Sequence, residues 1–170
     1  IGASESRDTQ VIRSITREEQ IVLVTAGVSE IVEERNDGLN VMGLFTVPGT
    51  ERAMLLRYEF DAKFGLEGGD VTIEQTGDNA YTVSVPEFVF LGYANPDIAI
   101  ANESNGFLSW ATPAIDSAQL IERVLTEEAV SQHIEGMRPV LEEQTEAFYS
   151  GIVHAIDPAI MLTFSFGGAE

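Results

Sequence analysis

Cysteine is absent from this 170-residue chain. That excludes disulfide scaffolds, thiol nucleophiles and thiolate metal sites. It is silent on compartment, because a domain that is stable without disulfides needs no cysteine anywhere. Histidine is scarce, with only His133 and His154, and lysine scarcer, Lys63 standing alone beside eight arginines. No apolar run approaches the roughly 20 residues that a membrane-spanning helix needs. The chain also opens Ile1-Gly2-Ala3 without an initiator Met, which leads us to expect a processed or shortened chain in which any targeting segment would be out of view.

Catalytic signatures are missing in the same way. No G-x-S-x-G, H-E-x-x-H, E-x-x-H or EF-hand loop occurs. The cluster Gly65-Leu66-Glu67-Gly68-Gly69-Asp70 follows an extended run but lacks the Lys-Ser/Thr and the following helix of a phosphate loop, so it reads as a turn. Adjacent carboxylates recur at Glu33-Glu34, Glu127-Glu128 and Glu142-Glu143. Neighbours on a helix point about 100° apart and do not converge on one substrate atom. No catalytic residue is assigned. With no cysteine and two histidines, a metal site would need oxygen ligands, which favours Ca²⁺ or Mg²⁺. The loop residues Asp70, Asp78, Asn79 and Asp97 are the candidates, and each is equally an ordinary turn former.

What the chain has in excess is negative charge: 28 Asp plus Glu against 9 Lys plus Arg, net −19. Such a field repels phosphate backbones and anionic headgroups, so no nucleic acid partner is expected. It favours solubility, or a basic partner or divalent ions. Hydrophobic residues make up 44%, enough for a sizeable core.

The clearest pattern is Leu56–Leu66. Leu56, Tyr58, Phe60, Ala62, Phe64 and Leu66 alternate with Arg57, Glu59, Asp61, Lys63 and Gly65, as in a strand with one dry and one wet face. Ile21–Val28 reads as another strand, with Gly27 at a bulge. Val71–Gln75 and Tyr81–Val85 flank Gly77-Asp78-Asn79 as a hairpin. Phe88–Tyr93 is the most apolar patch, and Ile98 and Ile100 suggest a short strand after Asn95-Pro96. Ile160–Phe166 closes the chain as a strand.

Helical spacing covers Thr9–Thr16, after a polar segment 1–8 expected to be flexible. Asp116 and Thr126 are candidate N-caps for two helices. Gly136 and Pro139 are read as starting another, with Met137, Val140, Leu141, Phe148, Ile152, Ala155 and Ile156 on its inner face. The expected fold is α+β, one domain over 9–170. It has a largely antiparallel twisted sheet of about five to six strands, a short N-terminal helix, and two to three helices packed on one face.

The entry Thr16–Thr25, the long strand through Gly65 into the hairpin Val71–Pro86-Glu87, and the region from Asp116 to Ile160–Phe166 together resemble a bacterial family, domain of unknown function 4230. The resemblance implies a cell-envelope protein with one N-terminal hydrophobic anchor, and no assigned activity or catalytic residues. It therefore implies an extracytoplasmic chain that meets the membrane only through an anchor absent from this sequence. The leading expectation is a non-catalytic binding module, with a protein partner at Phe88, Phe90, Tyr93 and Trp110. The alternatives are a carboxylate-based enzyme using an oxygen-bound divalent cation, and a structural or oligomerising module built on Phe88–Tyr93.

Overall fold

The alternation at Leu56–Leu66 lies inside one strand, Arg52–Glu67. In the computed structural model, residues 2–16, 19–36, 40–41, 45–46, 52–105 and 117–167 are described. The elements are α1 (Gly2–Ile15), β1 (Gln20–Asn36), β2 (Asn40–Val41), β3 (Phe45–Thr46), β4 (Arg52–Glu67), β5 (Thr72–Gly77), β6 (Ala80–Val85), β7 (Val89–Asn105), α2 (Ser117–Val124), α3 (Glu127–Ile156) and β8 (Met161–Phe166). The α+β class holds: β1-β4-β7 form one three-stranded sheet, β5-β6-β8 a second, and β2-β3 a two-stranded ribbon. The chain divides into two compact units, residues 1–26, 63–92 and 130–170, and residues 27–62 and 93–129.

In the first unit β5 and β6 form the expected antiparallel hairpin, with Ile73 opposite Val83 and Gln75 opposite Tyr81. β8 lies parallel to β6, Tyr81 beside Leu162 and Val85 beside Phe166. A parallel neighbour needs a long crossover, and everything between residues 85 and 161 supplies it. Tyr81, Val83 and Val85 are buried on one face, while Met161 at the far side of β8 is exposed. Phe166 packs on Phe88 at 6.0 Å and stacks on Phe164 at 6.2 Å. From β4, Phe64 and Leu66 are fully buried, and Phe64 meets Phe90 at 5.7 Å. Each such aromatic contributes about 2–3 kcal/mol through its removal from water. Val11 and Ile15, one helical turn apart, bury the inner side of α1. That helix begins at Gly2, so residues 2–8, read from the sequence as a loose segment, are its first turns.

In the second unit Tyr58, Phe60 and Ala62 carry the same dry face of β4. Tyr58 and Phe60 stack at 5.9 Å, and Tyr93 meets Phe60 edge-on at 6.1 Å. The Tyr58 hydroxyl donates to Glu30 at 2.6 Å. Burial, then that carboxylate, holds its pKa well above the usual tyrosine value. β7 continues straight through Asn95-Pro96, where a break before a separate short strand was expected. β7 is an edge strand, where a proline forfeits no ladder bond. Asn95 takes a left-handed φ of 53° and donates its amide to Asp61 at 2.9 Å.

The C-terminal helix departs from expectation in its length. Thr126 does cap α3, its Oγ1 accepting from the Ala129 N–H at 3.2 Å. The helix then runs for 30 residues straight through Gly136 and Pro139, where a new helix was expected to start. An interior proline costs about 3 kcal/mol. The offset comes from a buried seam at Ile134, Leu141, Thr145, Tyr149 and Val153. Thr145 satisfies its hydroxyl locally by donating to Leu141 O at 2.7 Å. Asp116, Phe107 and Trp110 lie outside the described residues.

Two substitutions test this core. A Cβ at Gly65 would lie 1.8 Å from the Ile21 carbonyl oxygen. Gly65→Ala should therefore lower stability by about 3 kcal/mol, at the upper end of overpacking costs, read as a drop in the denaturation midpoint. Tyr149 is buried, its hydroxyl has no partner among the described residues, and burial pushes its pKa up to about 12. Removing an unsatisfied buried hydroxyl should help, so Tyr149→Phe should raise stability by about 1 kcal/mol.

Candidate functional site

Polar chemistry in the first unit gathers where α1 meets the β5–β6 turn and the end of α3. The Arg7 guanidinium donates from Nη1 to Asn79 Oδ1 at 2.8 Å and to Asp157 Oδ2 at 3.0 Å. From Nη2 it donates to Asp8 Oδ1 at 3.0 Å and to the Asp78 carbonyl at 2.9 Å. The Tyr81 hydroxyl donates to the same Asp8 oxygen. One cation thus ties three segments that are 71 and 150 residues apart in sequence.

The electrostatics follow from that geometry. Tyr81, then Arg7, holds the Asp8 carboxyl below the ordinary aspartate value. The Ala159 N–H, then Arg7, does the same for Asp157. Burial, then the bond to Asp8, pushes the Tyr81 phenol up to about 12. Asp8 and Asp157 each retain about a quarter of their side-chain exposure, yet every strong donor there is spent on a neighbour. This is a clamp between elements, not a set of groups converging on open space.

Arg138 on α3 makes a second local pairing, donating to Glu135 Oε1 at 2.6 Å while its guanidinium lies 5.8 Å from the centre of the Phe88 ring. The pair holds the Glu135 carboxyl below its usual value. His154 Nε2 donates to the Ile160 carbonyl at 2.9 Å, fixing the turn into β8. His133 is half-buried, its ring 6.2 Å from that of Phe64.

The oxygen-ligand candidates do not come together. Asp70 ends the 3-10 turn Gly68–Asp70 and is exposed. Asp78 and Asn79 form the hairpin turn, where the Asp78 carbonyl and the Asn79 amide oxygen already accept from Arg7. Asp97 is an exposed residue of β7 in the other unit. Among the described residues, no group of three or more His, Asp or Glu side chains is placed to hold a metal ion. The aromatic partner candidates also separate. Phe88 is buried under Arg138 and against Phe166, and Phe90 is half-buried against Phe64, so these two serve the core. Tyr93 is exposed.

The surface that sequence reasoning missed is the outer side of α3. Val140, Phe148 and Ala155 were read as facing inward with Leu141. The structure leaves Val140 48% and Phe148 38% exposed, and Ala155 is exposed as well. Gln144, Ala147 and Gly151 are exposed between them. These six positions fall within one arc of the helix at 3–4 residue spacing, and none carries a charge. The available signal was width: the apolar arc of α3 is broader than the seam Leu141, Thr145, Tyr149, Val153 can cover.

Comparison with protein-family models, with curated proteins and with solved structures found no match. No helix among the described residues is long and apolar enough to cross a membrane.

The clamp makes a pH-dependent prediction. Asp8 has a depressed folded pKa, so its contribution is complete above the unfolded value of about 3.9 and disappears as pH falls through the lower folded value. Tyr81→Phe removes the main donor to that carboxylate. It should destabilise at pH 7, and by less at pH 2.5, below the unfolded value, where protonation of Asp8 has begun to remove the interaction in wild type. Urea midpoints of both proteins at the two pH values check this. An equal penalty at both would remove Asp8 as the partner.

Proposed function

We propose that this chain is a non-catalytic binding module of the bacterial cell envelope. It is tethered at the membrane by an N-terminal segment outside this sequence and offers α3 to a protein partner. The envelope part rests on the resemblance to the uncharacterised family 4230, whose members carry such an anchor. The binding part rests on one observation: an exposed, uncharged stripe from Val140 to Ala155 on a chain of net charge −19. Val140, Ala147, Phe148 and Ala155 are exposed apolar residues on one arc of one helix, and that arc is read as a contact surface.

Two features of the polar residues agree with this reading. Arg7 joins separate elements of the fold to each other, and Arg138 pairs with Glu135 within α3 while its guanidinium lies over the Phe88 ring. The two histidines serve different jobs in different places, one fixing a turn and one lying against an aromatic ring.

Purified protein should show no turnover with a broad panel of ester, phosphate, glycoside and peptide substrates. Its melting temperature should be the same in Ca²⁺ or Mg²⁺ as in chelator at matched ionic strength. Turnover abolished by a single carboxylate substitution would overturn the module reading. A saturable rise of about 2.7 kcal/mol at 100-fold over Kd would favour a divalent-cation enzyme instead.

A further inference from the structure

We propose that the outer face of α3 docks a basic amphipathic helix of a partner protein. The inference rests on the binding-module reading and specifies what that module binds. Three properties of the face select this occupant.

The first is shape. Val140, Gln144, Ala147 and Gly151 are spaced four, three and four residues apart, the rhythm that keeps one side of a helix facing a second helix. Ala147, Gly151 and Ala155 carry little or no side chain, so a partner backbone can approach closely. Val140 and Phe148 supply the larger apolar contacts. From Val140 to Ala155 the face is about 22 Å long at 1.5 Å per residue, the span of a helix of about 15 residues.

The second is charge. Glu143 borders the stripe on its solvent side, and Glu146 lies one turn further on. Both are exposed, and neither enters an ion pair among the described residues, whereas Glu135 is already neutralised by Arg138. Glu143 and Glu146 stand three residues apart, so they repel one another along the helix. Lysine or arginine on the flank of a docked helix would relieve that repulsion while its apolar side covers the stripe.

The third is what charge disfavours. A second copy packed antiparallel would bring the Glu143 flank of one helix against the Glu143 flank of the other, between chains that each carry −19. Such like-charge juxtaposition selects against self-association and for a cationic partner.

The test uses the whole chain and a fluorescein-labelled 15-residue Leu/Lys amphipathic peptide, with a scrambled peptide of equal composition as control. The peptide should bind more tightly than its scramble in anisotropy titrations at physiological salt. Ala147→Glu adds a negative charge at an exposed position in the middle of the face. Association driven by net charge alone would tighten, whereas docking on the stripe should weaken about tenfold. Val140→Glu should act in the same direction. Glu143→Lys should weaken binding more than Glu74→Lys, which makes the same charge change at an exposed site on β5. Peptide binding that is unchanged or tighter in Ala147→Glu would overturn the proposal. So would indifference to scrambling, or a dimer in sedimentation that Ala147→Glu dissolves. Any of these would leave the module reading standing, while turnover in the substrate panel would remove that reading whatever the peptide does.

Discussion

At Gly65 the backbone of β4 runs so close to β1 that a single methyl group would overlap the Ile21 carbonyl. β4 is the middle strand of its sheet, and it supplies buried side chains to both units: Tyr58, Phe60 and Ala62 to one, Phe64 and Leu66 to the other. Its alternation fixes register, because a slip by one residue would turn every aromatic into water and every charge into the core. Gly65 belongs to the wet set by count but is buried by contact. The position opposite the dry face is closed there by the neighbouring strand, so no side chain of any polarity would fit. The Gly68 N–H then donates to the Glu19 carbonyl at 2.9 Å and the Gln20 amide to Glu67 at 2.8 Å, which carries the pairing to the end of the strand.

Against that apolar frame the ionic interactions have a limited role. Arg7 and Arg138 are two of only nine cationic Lys and Arg residues, and each holds separate pieces of chain together. The carboxylates they pair with are a small fraction of the 28 present. Others accept single hydrogen bonds, as Glu30 does from Tyr58, and the acidic surface as a whole works against the compact state through self-repulsion. Its useful consequences are external: it discourages self-association and favours cationic partners.

Physical reasons separate what the sequence made legible from what it hid. The dry face of β4, the β5–β6 hairpin and the Thr126 cap were readable because each is set by residues within a few positions of one another. The course of α3 through Gly136 and Pro139 was not, since local rules place a boundary there. The helix persists because a seam from Ile134 to Val153 is buried by distant segments, a tertiary effect that outweighs local propensity. β7 passed Asn95-Pro96 for a related reason, its edge position excusing the proline. The parallel β6–β8 pairing and the Arg7 clamp join residues tens of positions apart, and nothing in one sequence couples them. The segment around Arg7 looked loose because the partners of Arg7 lie in the turn at Asp78-Asn79 and at Asp157.

The hidden part of the α3 surface has the same origin. Periodicity identifies which residues share a face, but a face can be wider than what covers it. On α3 the buried seam is Leu141, Thr145, Tyr149 and Val153, and the apolar positions extend beyond it to Val140, Phe148 and Ala155. Folding did not need those positions to be apolar, because exposed helix sites accept Glu, Lys or Gln at no packing cost. In a chain that places acids freely elsewhere, an unbroken uncharged arc from Val140 to Ala155 is better accounted for by contact with something else than by the fold itself. An acid borders it at Glu143, with Glu146 further round the helix, which gives the contact its polarity as well as its position.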